Sequence, residues 1–158
     1  MKLQYFGDRR DFYKYDLLLE LGRALQPPNG INVLPMLTAD DGGNDGQLTG
    51  RVSARDATLF EFLRAGGPRQ LGRVAEHFTQ RGVPLRFVSE ELIRKDDRAG
   101  YFARIEDQAL ADSIVFLDPD TGLKSESASR LNTRYLRYDE LQTLFARMSS
   151  ETVLVIYQ

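Results

Sequence analysis

Cysteine is absent from the chain, which excludes disulfides, thiolate zinc sites and a cysteine nucleophile together. Histidine occurs once, as His77, so a histidine-rich metal site is excluded as well. No apolar run approaches the ~20 residues needed to cross a bilayer. The opening Met1-Lys2-Leu3-Gln4-Tyr5 lacks the apolar stretch of a signal peptide, so the expected location is the cytoplasm, away from membranes. Charge of one sign is missing too. A formal net charge of −2 and a pI near 5.5 leave no basic footprint, so any contact with nucleic acid or a nucleotide must come from a local patch.

What is present suits one folded domain. A chain of 158 residues with 42% apolar and 28% charged side chains can bury a single core and lies far from the composition of disordered chains. Phe12, Tyr15, Leu18, Leu19 and Leu25 recur at helical spacing over 8–25, behind Asp8 as N-cap with Asp11 three residues on. Pro27-Pro28-Asn29-Gly30 stops that helix. A strand follows over 31–37, although Pro35 cannot donate to a ladder, and 38–46 is loop. Helices are predicted over about 56–65 and 68–81, with Gly66-Gly67 between them as C-cap, then a short strand within 82–89. The charge-dense 90–98 stretch reads as surface and 100–111 as one more helix.

Ser113-Ile114-Val115-Phe116-Leu117 is a continuous apolar run, as expected of a strand covered on both faces. A helix over 138–148 and a second such strand over 152–157 complete the pattern. Alternation of this kind predicts an α/β fold, a three-layer sandwich with a mostly parallel, Rossmann-like sheet between helices. No internal repeat, low-complexity tract or domain linker interrupts it. The last predicted strand reaches almost to Gln158, so either the domain is minimal or a continuation follows.

In an open parallel sheet, ligands bind beyond the carboxyl ends of the strands, and two such ends are acidic. Asp118-Pro119-Asp120-Thr121-Gly122 follows one strand, and Asp40-Asp41-Gly42-Gly43-Asn44-Asp45-Gly46 follows the strand over 31–37. If the two strands are neighbours, these carboxylates converge. Asp118 and Asp120 are the candidate catalytic residues, with Pro119 and Gly122 as substrate contacts in the same turn. Asp40, Asp41, Gly42, Gly43 and Asp45 are the candidate cofactor loop. Paired carboxylates can hold Mg²⁺ or Mn²⁺, accept hydrogen bonds from ribose hydroxyls or an amine, or act as general acid and base. Aspartate, proline and glycine also make ordinary turns after strands.

The order of strand, Asp118-Pro119-Asp120, Gly122, helix and strand over 153–157 resembles the second half of class I methyltransferases that use S-adenosylmethionine. In amino-methylating members an Asp-Pro-Pro-Tyr-type strand end holds the target amine. Asp118 and Pro119 match its first two positions, while Asp120 and Thr121 depart from the second proline and the aromatic. Phe12-Tyr13-Lys14-Tyr15-Asp16-Leu17-Leu18 together with Asp118-Pro119 also resembles three-Cys-motif partner proteins, which carry a Lys-x-x-x-Leu helix before the first strand and an Asp-Pro-Phe-Gly strand end. These resemblances imply an S-adenosylmethionine cofactor and a nucleic-acid or nucleotide-like substrate, although the loop over 40–46 lacks a regular Gly-x-Gly. A third comparison is with haloacid-dehalogenase-type phosphatases, whose Asp-x-Asp-x-Thr follows an apolar strand. Here Thr121 and Gly122 stand in swapped order, and little chain remains for the later motifs. A divalent-metal phosphohydrolase or nuclease, and a non-catalytic binding module, stay open as alternatives.

Arg9, Arg10 and Lys14, among Tyr5, Phe6, Tyr13 and Tyr15, form the candidate contact for a substrate phosphate and for stacking bases, although such a run is also an ordinary capped helix start. Asp41, Asp45 and Gly46 faintly echo a calcium loop, but the downstream position that needs a bidentate glutamate is Val52. His77 lies in a helical stretch and is expected to be packed or at the surface rather than catalytic. Glu90-Glu91 and Arg94-Lys95-Asp96-Asp97-Arg98 are mixed-sign runs expected to form a solvated face.

Overall fold

The computed structural model describes residues 3, 6–40, 42, 57–65, 71–124 and 133–157. Helix α1 (Arg9–Leu25) begins at Asp8, whose carboxylate accepts the backbone N–H groups of Arg10 and Asp11 at 2.8 and 2.9 Å and so satisfies two of the helix's orphan donors. Asp11 reaches back one residue further than a capping box requires, accepting the Gly7 N–H at 2.9 Å. Gln26, in the left-handed region at φ 45°, closes the helix just before Pro27 and Pro28.

Strand β1 (Ile31–Leu34) is shorter than expected. Pro35 ends the ladder, and Met36, buried with φ 44°, turns the chain. Leu37 then bridges to Leu92 in parallel register. Helices α2 (Ala57–Arg64) and α3 (Leu71–Thr79) follow, and the Gly66-Gly67 cap expected between them lies outside the described residues. Strand β2 (Leu85–Phe87) leads to helix α4 (Arg98–Ala103).

The single helix expected over 100–111 is instead α4 followed by a separate 3₁₀ turn, Asp107–Leu110. The break is stabilised from outside, because the Arg147 guanidinium donates to the carbonyls of Phe102 and Ile105, which a continuous helix would have used itself. Strand β3 (Ile114–Leu117) precedes a short parallel pair, β4 (Gly122–Lys124) and β5 (Tyr135–Arg137). This pair has no counterpart in the sequence-based expectation. Helix α5 (Tyr138–Phe145) starts directly after β5, and β6 (Val153–Ile156) completes the main sheet.

The main sheet has the order β2-β1-β3-β6 and all three pairings are parallel. Strand residues alternate strictly between two cores. Ile31, Val33, Ile114 and Phe116 face α1, α2 and α3, where Phe12, Leu18, Leu59 and Phe78 are buried. Leu34, Val115 and Leu117 face α4 and α5, packing with Tyr101, Phe102, Leu110 and Leu144. Every residue of β1 and β3 is buried, which explains why β3 reads as an unbroken apolar run, whereas β1 buries one polar side chain, Asn32, whose Oδ1 accepts from Arg86. The architecture is therefore the expected α/β three-layer sandwich with a Rossmann-like parallel sheet. Among the described residues no helix is long and apolar enough to cross a membrane.

The supposed solvated run ending at Arg98 needs correction. Arg98 is buried and forms a two-pronged ion pair with Glu140, Nε to Oε1 and Nη2 to Oε2 both at 2.6 Å, while also donating to the Tyr135 carbonyl at 2.8 Å. Glu140 in turn accepts the Arg137 N–H at 3.0 Å. The planar fork of guanidinium suits carboxylate geometry in a way that an ammonium does not. One pair thus fixes α4, β5 and the start of α5 together. Removing one partner, by Arg98→Met or Glu140→Gln, strands a buried polar group and is expected to cost about 3–5 kcal/mol. The double replacement Arg98→Met with Glu140→Leu should cost clearly less, and urea denaturation of the three variants checks both expectations.

Candidate functional site

The connections of the sheet decide where a ligand would lie. From β1 the chain passes through α2 and α3 on the α1 face to reach β2 on one side. From β3 it passes through α5 on the opposite face to reach β6 on the other side. Neighbouring strands β1 and β3 therefore send their connections to opposite faces, and such a switch point is where open α/β sheets form their ligand crevice. The two acidic segments follow these two strands, which are neighbours in the sheet.

Asp118 continues the ladder, its N–H donating to the Leu34 carbonyl at 3.0 Å. Its side chain is almost fully buried and meets an internal cation. Lys14 Nζ lies 2.9 Å from Asp118 Oδ2 and 3.0 Å from Asp11 Oδ1. The ammonium also sits 4.7 Å above the centroid of the Tyr157 ring, a cation–π contact at the end of β6. Helix α1 places this cluster because its first turns stand at the carboxyl end of the sheet, with Asp11 and Lys14 three residues apart on one flank. Lys14, at 7% exposure, is thus a buried charge held between two carboxylates and not the free surface cation of a phosphate patch. Arg9 and Arg10 are exposed on the outer side of the same helix start.

Burial alone would lower the pKa of Lys14, but attraction first to Asp118 and then to Asp11 overrides it and holds the ammonium above its ordinary value. Tyr15, also buried beside these groups, is raised well above its ordinary value by burial and then by the charges of Asp11 and Asp118. Burial raises Asp8 as well, partly countered by the helix N–H groups it accepts.

Asp120 lies further along the turn, with its side chain 15% exposed and one oxygen 3.7 Å from Arg134 Nε. Thr121 N–H donates to the Arg134 carbonyl at 2.9 Å, and Gly122, at φ 102°, takes the chain into β4 in a conformation that favours glycine. In the loop after β1, Asp40 is exposed and accepts the Gly42 N–H at 2.8 Å, an Asx turn. Asp41, Gly43 and Asp45 lie outside the described residues. Among the described residues no three carboxylate, histidine or cysteine groups stand close enough to hold a metal ion. His77 is buried and stacks on Phe62 with centroids 4.3 Å apart, in keeping with a packing role.

A cleft of about 490 Å³ lies at the other end of the sheet, lined by Gly22, Arg23, Gln26, Arg81 and Pro84 among others. Its size would suit a ligand, but α1 and α3 both direct their carboxyl ends there. Its arginines serve those ends, Arg81 donating to the His77 carbonyl at 3.1 Å and Arg23 lying in the last turn of α1 paired with Glu20 at 2.8 Å. The switch point, with its buried charges, is the stronger candidate. Comparison with protein-family models, curated proteins and solved structures gives no match.

Asp118 and Lys14 stand out in the sequence as site residues, but their contact does not, nor do the places of Asp11, Tyr157 and Arg134 beside them. One signal was present. Lys14 sits four residues before buried Leu18 and next to buried Tyr15, so the helical stripe itself carries a charge inward and requires a buried partner.

The protons on Lys14, Tyr15 and Tyr101 generate a pH prediction. Tyr101 is pushed up to about 12, first by burial. All three groups have folded values above their unfolded ones, so their contribution is complete below pH ~10 and is lost as pH rises through the folded values. Unfolding free energy should therefore decline steadily above pH ~10. Lys14→Met should show a shallower decline than the parent chain in denaturant titrations at pH 9 to 11.

Proposed function

We propose that this chain is a Rossmann-like methyltransferase-type domain that binds S-adenosylmethionine at the β1/β3 switch point and acts on a nucleic-acid or nucleotide-like substrate beside the Asp118–Gly122 turn. The observation that carries the reading is the buried contact between Lys14 and Asp118. It joins the Lys-x-x-x-Leu helix to the Asp-Pro strand end, the two segments on which the resemblance rests, at the place where the topology favours a ligand.

In chemical kind the described groups suit the cofactor. Asp40 and Asp120 are carboxylate acceptors on the two connections that flank the switch point, fitted to ribose hydroxyls and to the positive charge of a sulfonium. When bound, S-adenosylmethionine supplies an electrophilic methyl group. The chain's own part is to hold Asp118 in the ladder, to keep Lys14 charged beside it, and to present the Asp120 turn. Exposed Arg9 and Arg10 at the start of α1 suit the phosphates of a nucleotide substrate.

Isothermal titration with S-adenosylmethionine and with S-adenosylhomocysteine tests the reading. Binding at micromolar to submillimolar concentration is expected, weakened about tenfold by Asp120→Ala, equivalent to about 1.4 kcal/mol. Absence of heat from either ligand at millimolar concentration would end the reading.

A further inference from the structure

An ammonium has three donors and no acceptor, and Lys14 directs its own at Asp118, Asp11 and the face of Tyr157. Asp118 and Lys14 are 104 residues apart in sequence, and both are buried. The groups around them are Asp8, Asp11 and Tyr15 from α1, Asp118 from the end of β3 and Tyr157 from the end of β6. A substrate amine approaching Asp118 Oδ2 would have to displace a cation that the fold supplies itself.

Resting on the proposed function, we infer that Lys14 is the resident cation of Asp118 and a positioning residue of that site. It occupies the place at the strand end that a substrate amine would need. The carboxylate the turn presents is then the partly exposed Asp120, beside Arg134, and the acceptor it serves is uncharged or anionic. Lys14 acts through Asp118 by fixing where the turn leaves the sheet, while the substrate contacts residues further along.

Chemical rescue tests this. Lys14→Ala removes the ammonium and leaves room for a small one. Backbone amide resonances of Asp118, Asp120 and Gly122 should move in the variant and its affinity for S-adenosylhomocysteine should fall at least tenfold. Ethylammonium at tens of millimolar should restore both, whereas tetramethylammonium, which has no N–H donor, should not. In the unsubstituted chain, ethylammonium should leave these resonances unmoved. Unchanged resonances in Lys14→Ala, equal rescue by tetramethylammonium, or saturable ethylammonium binding at this turn in the unsubstituted chain would each overturn the inference.

If Lys14→Ala is too unstable to study, thermal denaturation of Lys14→Met, Asp118→Asn and their double variant replaces it. The double variant should be more stable than the sum of the two single effects predicts, and additivity would overturn the inference. Should the unsubstituted chain bind no adenosyl ligand while the ammonium restores the resonances, the methyltransferase reading fails and the role of Lys14 stands.

Discussion

One ammonium group, that of Lys14, ties together three parts of the chain that are remote in sequence. Its partners come from the first turn of α1, the end of β3 and the end of β6. Burying a charge carries a desolvation cost of several kcal/mol unless close opposite charges and hydrogen bonds offset it. Here two carboxylates at about hydrogen-bond distance do so. The remaining negative charge lies near the amino end of α1, where backbone N–H groups favour anions. Asp8 and Asp11 each use that end, accepting N–H groups from Arg10, Asp11 and Gly7. The helix cap and the charged cluster therefore share Asp11.

The cluster can exist only because the sheet gives it fixed walls. β1 and β3 are sealed on both faces by two separate cores, with neighbouring strand residues belonging to opposite ones. The edge strand β6 is less covered, Val153 being exposed and the next residues half-buried. Tyr157 follows immediately, its N–H bonded to the Leu117 carbonyl at 3.0 Å. That bond places the aromatic ring over the ammonium, so the far edge of the sheet also contributes to the geometry at its centre.

Much of this was legible in the residues. The apolar run of β3, the stripe of α1 through Phe12, Tyr15, Leu18 and Leu19, and the Asp8 cap all rest on local rules, periodicity and capping, that tertiary context did not override. So does the position of Asp118, since an apolar run that stops on a carboxylate marks a strand end. Leu25, expected on the stripe of α1, is instead exposed in the last turn. What escaped detection depends on distance. Nothing near Arg98 announces Glu140, 42 residues away, and without that partner a run of mixed charges reads as surface. The short β4 and β5 strands gain their identity from each other and carry no period of their own. The break after α4 needs Arg147, which lies in a later turn. At the site, Lys14 was selected for the sign of its charge; its place on the stripe of α1 signals an inward cation, but its partners Asp118, 104 residues away, and Tyr157 emerge only in the packed structure.

The Asp118–Gly122 turn is held at both ends. At one end Asp118 is fixed in the ladder and bonded to Lys14, and at the other Thr121 is bonded to Arg134. Strand β5 runs from there into α5 without an intervening residue, and α5 is bolted to α4 through Glu140 and Arg98. A segment so anchored has no slack. Through Arg134, β5 and Glu140, the helical layer on the far face of the sheet is thus tied to the turn that carries Asp120.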